Sequence, residues 1–274
     1  MNKIGITMRY GLFVSKAAGP GETAMLEAYG GVEMMMEAYA RMGVASVELS
    51  AVHTHRPMDE MLAICKKIMD SGLHLTLHGT TENMPGKAHF DFFAPLYDEI
   101  FKRQQDLTVT LHAPNDLDLA VSILADWCKE GMDRYPQLLF VQENQRVRLP
   151  EHKEHFRINA IPPTLPKTEN IGICWDMGHY AYNVIKAGLP AETLPASETV
   201  KLIRHTHIHG IENMDTHFPL RDEPVITYVK ALKRQGYQGL YNLELVPGKF
   251  MEAYPDVKGE TEGSILRLQE MLKQ

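Results

Sequence analysis

Short β-branched apolar runs alternate with longer amphipathic segments along the whole 274-residue chain. This alternation predicts an α/β fold in which parallel strands are joined by helical crossovers. The predicted strands cover residues 3–8, 45–50, 73–78, 107–112, 137–144, 171–176, 202–209 and 239–245. The predicted helices cover residues 31–42, 58–70, 91–104, 116–130, 178–187, 196–201, 223–235 and 262–273.

Eight strand–helix units of about 34 residues each favour a single-domain (β/α)8 TIM barrel over residues 1–274. A doubly wound sheet has the same alternation, but no GxGxxG or GxxxxGK[ST] pattern follows the first strand, so nothing indicates a nucleotide-binding sheet. Two segments, 10–30 and 145–170, interrupt the rhythm. We expect them to be long loops at the barrel mouth.

Composition disfavours nucleic acid and membranes as binding partners and indicates where the protein is located. The 35 acidic and 28 basic side chains give a net charge of −7, which disfavours a protein built to grip nucleic acid. No apolar run approaches the roughly 20 residues of a membrane span. The chain starts without the apolar stretch of a signal peptide, and Cys65, Cys128 and Cys174 are odd in number and widely separated. We therefore expect a cytoplasmic protein with reduced thiols.

Carboxylates and imidazoles recur at the predicted strand ends. Successive members are 34, 31, 33, 31 and 37 residues apart, which is the length of one unit. The set is His78, His112, Glu143, Asp176, His207 and Glu244. Successive units bring their strand ends to one ring, which is where barrel enzymes place their active sites. Oxygen and imidazole ligands without thiolates suit a divalent metal such as Mn, Zn, Co, Mg or Fe.

Local spacing adds further candidates. His179 follows Asp176 by three residues, and Gly178 between them is expected to allow a sharp turn. In RHTHIHG three histidines alternate with other residues and so share one side of a strand. Asp-x-His follows in the next loop. These positions are His205, His207, His209, Asp215 and His217.

The segments VELS, LTLHG, TLHAP, VQEN, CWDMGH, HTHIHG and NLELVP resemble the xylose isomerase-like barrel superfamily over nearly the whole chain. The superfamily includes sugar isomerases and epimerases as well as endonuclease IV-type AP endonucleases (AP endonuclease family 2). The resemblance implies a metal held by a Glu, an Asp, a His and a Glu after strands five to eight. The matching positions are Glu143, Asp176, His207 and Glu244.

The epimerase branch implies one metal and a small carbohydrate, either a sugar or a sugar phosphate. Glu143 and Glu244 would move a proton beside a carbonyl through a metal-stabilised enediolate, with His179 holding the substrate. A lyase or dehydratase would begin with the same proton abstraction and then expel a leaving group. Glu48 either pairs inside the barrel or contacts the substrate.

The endonuclease branch implies a multinuclear zinc phosphoesterase with additional ligands. Matching residue types stand at His78, His112, His179, Asp215 and His217. Arg221 stands in DTHFPLRDEP, where that branch has glycines around an acid, and the segments needed to bend DNA are missing from the sequence. These departures favour the small carbohydrate.

Binding without catalysis and self-association are further interpretations of the same residues. A barrel that binds ligand without catalysis is disfavoured by the intact pair Glu143 and Glu244, and a homo-oligomer is compatible with the resemblance. The cations near predicted strand ends are typical of surface charges, so a phosphorylated substrate is not predicted; Arg221 is kept as a weak substrate contact. They are Arg9, Lys16, Arg204, Arg221 and Lys249.

Overall fold

The predicted TIM barrel is confirmed. The computed structural model describes residues 3–52, 55–80, 86–112, 116–147, 157–166, 168–221 and 224–273. Eight parallel strands form a closed barrel: β1 Lys3–Arg9, β2 Val44–Val52, β3 His74–Thr80, β4 Leu107–His112, β5 Leu138–Glu143, β6 Ile171–Asp176, β7 Ile203–Ile208 and β10 Leu240–Leu243. Their order around the barrel is β1-β10-β7-β6-β5-β4-β3-β2. Every strand runs from the floor of the barrel toward the mouth, as crossovers require.

Helices surround the strands. They are α1 Pro20–Tyr29, α2 Val32–Arg41, α3 Met58–Asp70, α4 Gly86–Phe101, α5 Leu117–Arg134, α6 Met177–Lys186, α7 Ser197–Val200, α8 Val225–Arg234, α9 Pro247–Phe250 and α10 Val257–Lys273. Each predicted helix has a counterpart in this set. Within the described ranges, no helix combines the length and apolar character that crossing a membrane requires.

The two predicted mouth loops have different outcomes. Segment 10–30 is not a loop throughout: Tyr10–Leu12 and Ser15–Ala17 are 3-10 helices, and Pro20–Tyr29 is the helix α1. Pro20 opens α1 at a position where proline is favoured, because the first helical N–H needs no partner there. In segment 145–170, residues 148–156 and 167 lie outside the described residues; Ile158–Ala160 and Pro162–Thr164 are 3-10 helices.

A small antiparallel hairpin follows β7. Its strands are β8 Gly210–Glu212 and β9 Asp215–Phe218, and the turn between them holds Asn213 and Met214 at positive φ. The loop predicted after strand seven is therefore partly a β-structure. The backbone amide of Glu244 donates to the carbonyl of Ile208, and that of Val246 donates to the carbonyl of His217. The first bond extends the pairing of β7 with β10, and the second holds the hairpin against the segment that follows β10.

Strand alternation separates an apolar shell from a polar interior. On β2, Val47 and Leu49 are buried next to Glu48, which lies on the opposite face of the strand. Glu48 meets polar side chains from four other strands. We call this set the polar layer: Thr7, Glu48, Thr110, His205 and Asn242. A buried carboxylate is tolerable here because its oxygens have hydrogen-bond donors around them.

Outside the strands, α4 and α5 pack on β5 through rings. We call this the aromatic cluster: His89, Phe90, Phe93, Trp127 and Phe140. All five are buried. His89 sits 4.6 Å from the Trp127 ring centroid, and its Nε2 lies 2.8 Å from the hydroxyl of Tyr97. The cluster joins two crossover helices to the barrel wall through apolar burial.

Candidate functional site

A cavity of about 530 Å³ opens at the carboxyl ends of the strands. That volume is within the usual range for small-molecule sites. The predicted strand-end side chains at its wall include His78, His112, Glu143 and Glu244. Asp176 and His207 are fully buried beside them. The structure therefore brings together the six residues whose spacing predicted one ring.

Four of these side chains converge most closely, and we call them the Glu143 group: His78, Glu143, His207 and Glu244. One potential ligand atom from each lies within 4.8 Å of all the others. Nδ1 of His207 is 3.3 Å from Oε2 of Glu143 and 3.2 Å from Oε2 of Glu244. Nε2 of His78 lies 3.1 Å from that same Glu143 oxygen. Two carboxylates and two imidazoles thus face one point.

Several atoms of this group lack hydrogen bonds, although Oε2 of Glu143 has Nε2 of His78 at 3.1 Å and Nε2 of His112 at 3.0 Å. Oε1 of Glu143, Nδ1 of His207 and Oε2 of Glu244 are buried, and none has a hydrogen-bond partner among the described residues. Leaving such atoms unsatisfied is costly in a folded interior. A bound divalent cation would satisfy them, and oxygen with imidazole is a donor set that suits one.

A second cluster adjoins the first, and we call it the Asp176 group: Asp176, His179, His209 and His217. His179 links the two, because its Nδ1 lies 3.1 Å from Oδ2 of Asp176 and 3.2 Å from Oε1 of Glu143. The structure therefore places the predicted ligand Asp176 in this adjoining group, while Glu143, His207 and Glu244 remain together.

Local folding explains the Asp-x-x-His spacing. Asp176 ends β6, and its Oδ1 accepts the backbone N–H of His179 at 2.6 Å, so Asp176 is the N-cap of α6. Gly178 is needed for packing: an added Cβ would lie 1.9 Å from Cε1 of His209. Its φ is not positive, so the sharp turn expected from this glycine is not its role.

Hydrogen bonds satisfy most of the Asp176 group internally. His209 accepts the backbone N–H of His217 at Nδ1, at 2.9 Å, and its Nε2 lies 3.0 Å from Asp176. The Nε2 proton therefore points at the carboxylate, which leaves His209 no free lone pair. His217 itself has φ 72°, in the left-handed region. Such a backbone costs on the order of 1–3 kcal/mol, and this type of strain clusters at functional sites.

Glu48 does not reach the cavity, so the expected substrate contact is replaced by its alternative, pairing inside the barrel. Oε1 accepts the Thr7 hydroxyl at 3.0 Å, and Oε2 accepts the Thr110 hydroxyl at 3.1 Å. Nε2 of His205 is 2.8 Å away, and Nε2 of His207 is 2.9 Å away. With its Nε2 facing Glu48, His207 presents Nδ1 to the Glu143 group.

Two further candidates lie elsewhere. Arg221 pairs with Glu260 at 2.5 Å and stacks over the Tyr254 ring, away from the cavity wall, so it is not the expected substrate contact. Asp215 does not join either histidine group; its Oδ1 instead accepts Arg146 and Lys249, each at 2.9 Å. Paired this way, Asp215 is not placed as the metal ligand that the endonuclease branch implies.

The buried carboxylates stay ionised. Burial alone would raise the pKa of Glu143, but His112 and His207 outweigh it and hold that pKa well below its usual value. Burial would also raise the pKa of Glu244, and His207 with His217 lowers it instead. Both carboxylates can therefore bind a cation or accept a proton at neutral pH.

The imidazoles divide into two classes. Burial would lower the pKa of His78, but Glu143 raises it to about 9. The pKa of His179 also rises to about 9 against burial, because Asp176 and Glu143 are close. Burial, assisted by His209, lowers the pKa of His217 to about 4. Without a cation, protons on His78 and His179 balance the buried carboxylates.

Several residues at the cavity wall were not identified as site residues from the sequence, among them Gln145, Arg146 and Val246. Gln145 and Arg146 follow β5, and Val246 follows β10. Arg146 is two residues beyond VQEN, in the segment expected to be a long mouth loop, and no periodic pattern marks it. His205 was noted only for its alternation; it lies below the mouth, bonded to Glu48.

Comparison with known sequences is limited to one short stretch. No protein-family model matches the chain. A stretch of 76 residues, 27% of the chain, is 38% identical to an uncharacterised protein of Methanocaldococcus jannaschii. That stretch covers 28% of the archaeal protein's length.

Solved structures resemble the whole chain. A D-tagatose 3-epimerase-like protein superposes with a TM-score of 0.65 at 16% identity, covering 99% of this chain and 98% of that one. A D-psicose 3-epimerase, determined in the presence of D-fructose, has a TM-score of 0.56 at 12% identity, covering 99% and 100%. A D-allulose 3-epimerase from Methylomonas sp., in complex with D-allulose, has a TM-score of 0.58 at 10% identity, covering 99% and 98%. The predicted resemblance to xylose isomerase-like barrels is confirmed for the fold.

Proposed function

We propose that this chain is a metal-dependent sugar isomerase or epimerase that moves a proton at the carbon beside a carbonyl. One observation carries the proposal: Glu143 and Glu244 both face Nδ1 of His207, at 3.3 and 3.2 Å, at the wall of a cavity sized for a small molecule. Epimerases among the structures with this barrel fold support the same reaction class.

The metal in this proposal is held by the Glu143 group, because three of its residues, Glu143, His207 and Glu244, have unsatisfied buried atoms, whereas among the described residues of the Asp176 group only His179, at Nε2, has one. His78 takes the place that the resemblance gave to Asp176, which reaches the group only through His179. A divalent cation bound there would polarise a substrate carbonyl and stabilise negative charge on its oxygen. The structure leaves Mn, Zn, Co, Mg and Fe open as its identity.

Proton transfer belongs to the two carboxylates. Glu143 and Glu244 are ionised at neutral pH, so either can accept the proton beside the carbonyl. For inversion, Glu244 takes the proton from one face, and Glu143 delivers to the opposite face a proton that it first receives from His179, whose Nδ1 lies 3.2 Å from Oε1 of Glu143 and whose pKa is about 9. His179 holds a substrate hydroxyl from its position beside both groups. A β-leaving group on the substrate would turn the same first step into a lyase or dehydratase reaction.

The alternative is an endonuclease IV-like phosphoesterase, and the nearby Asp176 group is the observation that favours it. Two observations oppose it, one on His209 of that group and one on Asp215, a ligand that this alternative requires. Both ring nitrogens of His209 are engaged by Asp176 and the His217 amide, and Asp215 is paired with Arg146 and Lys249. A small carbohydrate and one metal therefore fit better than nucleic acid and three metals.

Metal stoichiometry separates the two reactions. We expect about one divalent metal per chain after purification without chelator, and interconversion of at least one pair of ketose epimers or aldose–ketose isomers that stops on chelation. About three metals per chain together with cleavage of abasic DNA would favour the phosphoesterase instead. A matched pair of variants, His78→Gln and Asp176→Asn, identifies the fourth ligand: the first should release more metal than the second.

A further inference from the structure

Two cations converge on one carboxylate at the edge of the cavity. Nη1 of Arg146 and Nζ of Lys249 each lie 2.9 Å from the same oxygen of Asp215, Oδ1. The backbone N–H of Thr216 donates to that oxygen as well, at 2.8 Å. Two positive charges thus share one negative charge, so among the described residues this edge of the cavity has a surplus of one positive charge.

Arg146 is positioned as a site residue. Its side chain is 12% exposed, and it lines the cavity three residues after Glu143. A guanidinium carries five N–H donors, and Asp215 engages it through one nitrogen. A largely buried cation with donors to spare is costly unless an anion or water approaches it.

The other cation at the cavity wall is balanced. Arg9 ends β1 and pairs with Glu22 at 3.0 Å, and half of its side chain is exposed. Arg9 therefore offers no surplus charge. The carboxylates that face the cavity, Glu143 and Glu244, are surrounded by imidazoles of the Glu143 group. The positive surplus lies at the Arg146 edge.

We propose that the substrate carries an oxyanion, either a phosphate or a carboxylate, and that Arg146 binds it with support from Lys249. The inference rests on the proposed function, since it names the class of sugar that the same cavity takes. A planar guanidinium fork matches both oxyanions through two parallel hydrogen bonds. The sequence left open whether the substrate is phosphorylated, and it did not single out Arg146.

Binding of unreactive polyols tests the proposal without turnover. Glucitol, glucitol 6-phosphate and gluconate lack the carbonyl, and calorimetry on the metal-loaded protein gives their affinities. We expect one of the two anions to bind at least about tenfold more tightly than glucitol, the usual scale of a charge-assisted contact. Whether glucitol 6-phosphate or gluconate has that advantage identifies the oxyanion.

Variants attribute the preference to its residue. Arg146→Gln should bring the anion and glucitol within about twofold of each other, and Lys249→Gln should reduce the advantage by about half of that loss on a logarithmic scale. The matched control Arg41→Gln removes an exposed arginine that pairs with Glu37 at 3.4 Å, and it should change nothing. If Arg146→Gln fails to melt cooperatively, the test rests on Lys249→Gln: a reduced preference for the anion supports the proposal, and an unchanged preference contradicts it.

Equal affinity for all three polyols, no binding of either anion, or an advantage that survives both substitutions would overturn the proposal. The two hypotheses fail separately. A protein that interconverts neutral ketoses and shows no anion preference contradicts this inference alone. An Arg146-dependent preference in a protein that exchanges no substrate proton contradicts the proposed reaction alone.

Discussion

The barrel buries histidines in two contrasting environments. In the aromatic cluster, His89 packs among rings, bonds to Tyr97, and burial lowers its pKa to about 3. At the mouth, His78 is just as buried, yet Glu143 raises its pKa to about 9. The first environment disfavours charge, while the second gathers charge of both signs.

The difference separates stability from function. In the aromatic cluster, rings meet rings, and the buried area contributes to folding at about 25 cal/mol per Å². In the Glu143 group, buried atoms of Glu143, His207 and Glu244 lack hydrogen-bond partners among the described residues, which costs stability. A folded protein can retain such destabilising unsatisfied atoms where a bound ligand will interact with them. Substitutions in the two regions should therefore have opposite consequences.

The largest effect is expected from Glu244→Gln. The amide cannot accept the substrate proton, so turnover should fall by about 10³-fold or more, the upper range for general acid–base groups. Unfolding should stay cooperative, with little loss of stability. Steady-state rates and urea melts measure both. The exposed surface change Glu37→Gln is the control, and near wild-type turnover in Glu244→Gln would mean that the proton-transfer site is misassigned.

Trp127→Ala should show the converse behaviour. Trp127 is fully buried in the aromatic cluster, and truncating such a side chain costs roughly 3–5 kcal/mol in the free energy of unfolding. Metal content and specific activity of the folded fraction should not change, because Trp127 packs on α4 and β5 in the aromatic cluster, outside the Glu143 group. A urea titration with metal analysis checks this. Loss of metal without loss of stability would break the comparison.

Glu48→Gln tests how the polar layer supports the mouth. The new amide would turn an N–H toward one of the two donors His205 and His207, which disturbs the orientation and tautomer of His207. We expect metal affinity to fall by roughly 10- to 100-fold, as for other supporting hydrogen bonds of metal ligands. Competition with a chromogenic chelator measures it. Thr110→Val, which removes one bond to Glu48 without touching His207, should lose less; an equal loss in both variants would contradict this role.

The smallest effect is a pH dependence of opposite sign in the two regions. The folded pKa of His89 is about 3 against an ordinary 6.5, so the unfolded chain binds the proton first and stability falls as pH drops below 6.5. Between pH 6.5 and 5.5 this amounts to about 1 kcal/mol, which His89→Leu should remove. The contribution of His78 to stability depends on pH with the opposite sign.

The folded pKa of His78 is about 9, so in chelator its contribution is complete below pH 6.5 and disappears as pH rises through 9. Urea melts of the wild type, His89→Leu and His78→Gln across pH 5 to 9 compare the two. If the free energy of unfolding changed with pH in the same way in both variants, the contrast between the two regions would be contradicted.

Much of the fold was predictable because period and length are local signals. The predicted spans 107–112 and 171–176 coincide with β4 and β6, and 58–70 coincides with α3. α1 was missed because Gly19, Pro20 and Gly21 suggested a loop, although proline at the first helical position favours a start. The hairpin β8–β9 was missed since its strands are three and four residues long.

The candidate site was predictable as far as strand ends go. Spacing identified residues that share the mouth, because each barrel unit returns to the same ring. Spacing along the sequence does not determine which hydrogen-bond or ion-pair partners a side chain has in the folded protein. The Asp176 side chain caps α6, the Glu48 side chain is hydrogen-bonded inside the polar layer, and the Asp215 side chain pairs with Arg146. These choices depend on side chains distant in sequence, which only the folded chain brings together.

Deuterium wash-in from heavy water tests the proposed proton transfer most directly. The metal-loaded protein is incubated with a broad panel of ketoses and ketose phosphates, and substrate is recovered for mass spectrometry and NMR. We predict deuterium at the carbon beside the carbonyl of at least one sugar, lost on chelation and in Glu244→Gln. No exchange into any member of the panel by a protein that retains its metal would contradict a proton-transfer enzyme.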